Sequence, residues 1–166
     1  ILCGGKGTRL REETEFKPKP LVEIGGVPIL LHIMKIYASF GFKDFILCLG
    51  YKGELIKKYF LEHKYLANDF TLDLSSGQEH FHTNNFFLTD CKVTFADTGE
   101  NTLTSGRVKK IQSYVGTEDF MLTYGDGVAN INLQSLLEFH RKNNKVCTIT
   151  GINPISKYGL VKLNVN

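Results

Sequence analysis

Short apolar runs alternate with amphipathic stretches along this chain, and no other feature constrains its fold as strongly. Ile1-Leu2-Cys3 reads as a strand tail entering a glycine-rich loop. Pro28 opens a helix whose apolar positions are Ile29, Ile33, Ile36, Tyr37 and Phe40, and Gly41 stops it. Phe45 to Leu49 is a continuous apolar strand. Leu55, Ile56, Tyr59 and Phe60 mark a second helix, Val93 to Ala96 a strand, and Val108, Ile111 and Val115 a third helix. Phe120 to Tyr124 reads as a strand closed by Gly125-Asp126-Gly127, followed by a helix at Leu133, Leu136, Leu137 and His140. Strands are also predicted at Val146 to Ile152 and Leu160 to Val165. Strand-helix alternation predicts crossover units, hence an α/β, Rossmann-like fold with a mostly parallel sheet flanked by helices. Residues 65–92 break the rhythm with polar turns and alternating Phe70, Leu72 and Leu74, which predicts an antiparallel excursion.

Composition narrows the function classes. With 166 residues the chain suits one domain, and no disulfide or structural metal is needed to hold its core. A net charge of +3 without a long basic run gives no nucleic-acid footprint. No apolar stretch approaches the roughly 18 residues that span a membrane. The four cysteines include no C-x-x-C pair, which predicts reduced thiols, buried in the apolar runs around Cys3, Cys48 and Cys147, in a cytoplasmic protein. His80 and His82 share a strand face but have no evident third ligand, so a metal role is not expected of them. Phe86, Phe87 and Phe95 are expected in the core or at subunit contacts.

In parallel sheets of this kind ligands bind beyond the C-terminal strand ends. The first such loop is Cys3-Gly4-Gly5-Lys6-Gly7-Thr8-Arg9-Leu10. Glycines let the backbone approach a ligand and aim its N–H groups at an anion, although three glycines also suit a plain tight turn. A dinucleotide fingerprint fails because Leu10 stands at its third glycine, and a P-loop fails because Gly7 follows Lys6. Lys19 lies between Pro18 and Pro20, which stiffen its backbone. With Arg9 it supplies two cations suited to several phosphates, or else a solvated basic turn. Asp126, between two glycines at a strand end, suits Mg²⁺, though Asp is also ordinary in such turns.

Gly4-Gly5-x-Gly7-Thr8-Arg9-Leu10 followed by Pro18-Lys19-Pro20 resembles the signature of the sugar-1-phosphate nucleotidylyltransferases. Further blocks, Lys17-Pro18-Lys19-Pro20, Val22-Glu23-Ile24-Gly25-Gly26, Gly50-Tyr51-Lys52-Gly53 and Thr123 to Ala129, are similar to its glucose-1-phosphate cytidylyltransferase branch. The resemblance implies a fold of the nucleotide-diphospho-sugar transferase type. It also implies a reaction in which CTP and α-D-glucose 1-phosphate give CDP-glucose and pyrophosphate, feeding dideoxy-sugar and O-antigen synthesis. By the same resemblance, Leu2, Cys3, Gly4 and Gly5 line the base and ribose, Gly7, Thr8 and Arg9 cradle the triphosphate with Lys6 adding a charge beside it, and Arg9 offsets charge on the departing pyrophosphate. Lys19 neutralises the α-phosphate, Thr102, Arg107 and Gly125 contact the nucleotide, and Asp126 holds Mg²⁺. Tyr158-Gly159 resembles a sugar contact. A homo-oligomer is implied, as is a longer enzyme of which residues 1–166 are the nucleotide-binding part, truncated at both ends, with the sugar-binding part beyond Asn166. Uridylyl or thymidylyl transfer, or a nucleotide-binding module without turnover, are the alternatives. Cys3, Lys6, Val27, Leu31 and Ser105 depart from the family pattern, where Ala, Leu, Lys, Trp and Gly are usual.

Overall fold

The computed structural model describes residues 1–5, 16–85, 88 and 90–151. The described residues fall into two compact units, divided between Asn130 and Ile131. In the first, β1 (Glu23–Ile24) and β2 (Val27–Pro28) pair antiparallel across Gly25 and Gly26. Both glycines have positive φ, 61° and 76°, as a tight hairpin turn demands. α1 (Ile29–Ser39) follows, with Pro28 capping it rather than occupying its first turn. Its buried residues are Leu30, Leu31, Ile33 and Met34. The spacing predicts a different apolar stripe, because a helix that is apolar almost all round does not announce which face meets the core. Gly41, at φ 90°, ends it as expected: its N–H and that of Phe42 reach back to the Ala38 and Tyr37 carbonyls.

β3 (Asp44–Leu49) and β6 (Lys92–Asp97) pair in parallel, in register from Asp44 with Lys92 to Leu49 with Asp97. Single parallel bridges join Leu2 to Cys48 and to Tyr124. The spatial order is therefore β6, β3, Leu2, Tyr124, and the chain reverses its winding direction between the last two. Phe45, Leu47 and Leu49 point into one core with Leu30, Leu31, Met34 and Ile56. Cys48 points the other way, to Leu2, Ala96 and Ile111. Alternation along one strand thus serves helices on both faces, as expected of a sandwiched parallel sheet.

α2 (Gly53–Leu66) starts at Lys52, whose φ of 52° turns the chain out of β3, and Ile56 anchors it in the core. The predicted excursion is a hairpin of β4 (Phe70–Leu72) and β5 (Glu79–Phe81), with Phe70 stacked on Phe81. The third predicted helix is two: α3 (Thr104–Lys110) and α4 (Gln112–Val115), separated at buried Ile111.

Two predicted strands differ. Phe120 to Tyr124 makes one bridge, at Tyr124, and Phe120, Leu122 and Tyr124 remain exposed. With Leu2 as its one described partner and little cover on either face, the segment builds no ladder. In the second unit, α5 (Leu133–Asn143) is capped by Asn132, whose side-chain oxygen accepts from the Ser135 N–H at 3.0 Å. Residues 145–151 after it are irregular, with Val146 and Ile149 exposed, because no described strand pairs with them. Ile152, the Leu160 to Val165 strand, Tyr158-Gly159, Phe86 and Phe87 lie outside the described residues. Cys3 and Cys48 are buried as expected, but Cys147 is exposed because its predicted strand does not form.

Candidate active site

Cys3, Gly4, Gly5, Tyr124 and Asp126 line a crevice at the C-terminal side of the Leu2–Tyr124 bridge. This is the switch point of a wound sheet, where backbone ends splay and leave room for a ligand. The crevice has a volume of about 210 Å³ and is completed by Leu2, Lys19, Pro20, Thr102, Leu103, Thr104 and Arg107.

Close backbone approach shapes its floor. The Gly125 N–H donates to the Leu2 carbonyl at 2.9 Å. A Cβ on Gly125 would sit 3.0 Å from Cys3 Sγ, 3.1 Å from the Leu2 oxygen and 3.2 Å from the Pro20 ring. Any larger residue would have to push these apart. The Cys3 thiol is buried, and removal from water pushes its pKa from 9.0 up to about 12. It is therefore a neutral wall atom and not a nucleophile.

Lys19 and Asp126 enter from opposite ends of the first unit's sequence. Pro18 is buried with extended backbone, and a short 3-10 helix, Lys19–Leu21, follows it. The two prolines thus fix the backbone that carries Lys19. Lys19 Nζ donates to Asp126 Oδ2 at 3.4 Å. Lys17 instead pairs with Glu23 at 3.1 Å, so only the second lysine of Lys17-Pro18-Lys19-Pro20 turns to the crevice.

Arg107 is buried at 5% exposure although it is charged. Its guanidinium donates to four oxygens: Leu49 O at 3.0 Å, Thr98 Oγ1 at 2.7 Å, Gly4 O at 2.9 Å and Glu100 O at 3.1 Å. Gly4 and Gly50 leave the space it fills, since a Cβ on either would run into the guanidinium. Arg107 thus ties α3 to the end of β3, to the turn after β6 and to the glycine loop. Thr98, fully buried, donates in turn to Leu49 O at 2.6 Å.

Of the predicted residues, Leu2, Cys3, Gly4, Gly5, Lys19, Thr102, Arg107 and Asp126 meet around one crevice, with Gly125 packed beneath it. Lys6, Gly7, Thr8 and Arg9 lie outside the described residues. Sequence reasoning missed Thr98 as an acceptor for Arg107. Its one signal is its position, the first residue after β6. Leu103 and Thr104 were also missed, and Tyr124 was marked only as a member of the Thr123 to Ala129 block, without a site role. Asp126 offers one half-exposed carboxylate beside the Lys19 ammonium, a donor chemistry that fits a hard divalent cation completed by other oxygen ligands. Among the described residues no three His, Cys, Asp or Glu side chains cluster as a metal cage, His80 and His82 included.

A larger cavity of about 600 Å³ lies between α2 and the β4–β5 hairpin, lined by Phe60, Lys64, Asn68, Phe81, His82, Thr83 and Asn84. None of the predicted site residues among the described residues borders it. Its cation is engaged, with Lys64 Nζ 4.0 Å above the Phe81 ring. Among the described residues no helix is long and apolar enough to cross a membrane.

Comparison with known proteins follows the same lines. The nucleotidyl transferase family matches residues 1–166. The chain is 51% identical over 159 residues to a probable glucose-1-phosphate cytidylyltransferase of Bacillus subtilis, covering 96% of this chain and 61% of that protein. It is 43% identical over 164 residues to the glucose-1-phosphate cytidylyltransferase of Salmonella typhimurium, covering 98% and 63%. It is 34% identical over 169 residues to the mannose-1-phosphate guanyltransferase of Yarrowia lipolytica, covering 97% and 39%. The chain thus spans 61% and 63% of the lengths of the two cytidylyltransferases.

Proposed function

This chain belongs to the nucleotidyl transferase family, and from that premise we propose that it supplies the nucleotide-binding part of a glucose-1-phosphate cytidylyltransferase. The reaction joins CTP and α-D-glucose 1-phosphate into CDP-glucose and releases pyrophosphate. The observation that carries this reading is the meeting of Lys19 and Asp126 in the crevice between Leu2 and Tyr124. The two cytidylyltransferases among the relatives support the choice of base and sugar.

The chemistry needs positioning and charge neutralisation more than covalent help. A phosphate oxygen of the sugar attacks the α-phosphorus in line, one P–O bond forms, and the bond to pyrophosphate breaks. Lys19, held by its prolines, meets the charge that builds on the α-phosphate. Gly5, with open space where a Cβ would stand, leaves room for the nucleotide backbone and base. Arg107 keeps the loop carbonyl of Gly4 in place. Arg9, Lys6, Gly7 and Thr8 belong to the triphosphate cradle in this proposal. Asp126 would hold Mg²⁺, which supplies charge neutralisation on phosphate oxygens. Supply of CDP-glucose to dideoxy-sugar and O-antigen synthesis, a cytoplasmic setting and a homo-oligomer complete the proposal.

Initial rates of pyrophosphate release from the intact protein, with glucose 1-phosphate and each of CTP, UTP and dTTP, test it. CTP should be the best substrate. Faster turnover with UTP or dTTP would reassign the base, and no release with any triphosphate would overturn the proposal.

A further inference from the structure

We propose that Lys110 is a positioning residue that holds Thr102 in a donor orientation toward the crevice and thereby favours nucleobases presenting an acceptor there. The inference rests on the nucleotide-binding reading above. Lys110 closes α3, and its ammonium donates to Thr98 O at 2.9 Å and to Thr102 Oγ1 at 3.3 Å. Thr102 borders the crevice, as Gly4 and Gly5 do, whereas Lys110 does not.

Thr102 sits in a fitted socket. A Cβ on Gly106 would lie 2.8 Å from the Thr102 methyl, and one on Gly99 would lie 3.0 Å from its Oγ1 and 3.3 Å from Lys110 Nζ. Gly99 also has φ of 87°, which admits a side chain only with strain. Gly99, Gly106 and Lys110 therefore enclose one threonine, and their close fit restricts its rotamer.

The chemistry of the contact sets its direction. An ammonium has three donors and no acceptor, so Thr102 Oγ1 must accept from Lys110. Its own O–H is then the group left to donate. A hydroxyl left as a donor favours a base with an acceptor at position 3, as the unprotonated N3 of cytosine is, whereas the C2 carbonyl is common to cytosine and uracil and does not tell them apart. Uracil carries N–H at position 3 and matches less well.

Calorimetric titration of CTP and UTP into the intact protein tests this, using wild type, Lys110→Met, Lys110→Arg, and Lys110→Met in a Thr102→Val background. The Kd for CTP should rise roughly three- to tenfold in Lys110→Met, the scale of one charge-assisted hydrogen bond at a partly exposed site. The preference for CTP over UTP should narrow with it, and Lys110→Arg should recover both. In the Thr102→Val background the lysine change should have no further effect. Wild-type affinity and base preference in Lys110→Met, or an equal loss in the Thr102→Val background, would overturn the inference. The enzymatic reading fails separately, through absence of pyrophosphate release from wild type, which these affinities do not depend on.

Discussion

Lys19 and Asp126 are 107 residues apart in sequence and 3.4 Å apart in space. Both side chains are partly exposed, so their ion pair contributes no more than about 1 kcal/mol to stability. Their value is in the chemistry instead. Lys19→Ala should lower kcat on the order of 10²–10³, as loss of a donor to developing charge does, while shifting the thermal midpoint little. Turnover within a few-fold of wild type would remove Lys19 from the mechanism. Asp126→Asn should abolish the Mg²⁺ dependence of the rate, read by metal titration at saturating CTP. Cys3 carries a pH prediction. Its folded pKa, raised by burial to about 12, lies above its ordinary 9.0. Between these values the unfolded thiol loses its proton and the folded one keeps it, so the native state binds more protons. Stability from this group is complete below about pH 9 and declines as pH rises toward 12. A thiol reagent at pH 8 should accordingly label exposed Cys147 first and spare Cys3 and Cys48 until the protein unfolds.

At the scale of elements, α3 is held less by apolar packing than by Arg107. Four oxygens from three chain segments converge on one guanidinium, and removing it leaves Leu49 O, Gly4 O and Thr98 Oγ1 buried with reduced satisfaction. Arg107→Met should destabilise by about 2–4 kcal/mol, read in urea unfolding, because buried acceptors lose a charged donor. Arg107→Lys should recover little, since a point charge cannot span the fork. Gly50→Ala should resemble Arg107→Met, because its Cβ would collide with the guanidinium and lie 2.9 Å from the Gly4 Cα. Much of this layer was legible in the sequence. Apolar runs bounded by glycine mark β3 and α2, and the polar interruption at residues 65–92 marks the hairpin. The face of α1 was not legible, because its apolar residues ring the helix. Nor was the irregular course of residues 145–151, because a strand is completed by its neighbours and not by its own composition. The role of Arg107 escaped for a similar reason: a sequence shows a cation, while its acceptors are backbone oxygens that only the fold brings together.

Two cavities stand out among the described residues, and the larger is not the one the chemistry favours. The 600 Å³ cavity beside the hairpin has an occupied cation and aromatic walls, whereas the 210 Å³ crevice lies where the sheet reverses its winding. In a parallel sheet the reversal is what opens a gap between strand ends, so position decides more than volume does. The sequence located this crevice through motifs far apart along the chain, yet it could not say that Leu2 would lie between β3 and Tyr124. That order comes from the bridges. Hydrogen exchange with and without saturating CTP separates the two cavities. Nucleotide in the crevice should slow exchange together at residues 3–5, 19–21, 98–104 and 124–126, which only the folded sheet brings side by side. Amides of β4 and β5 should be unaffected. Protection confined to the hairpin would move the nucleotide to the larger cavity. Joint protection of all four stretches, lost in part in Arg107→Met, would tie binding to the guanidinium that joins α3 to the glycine loop.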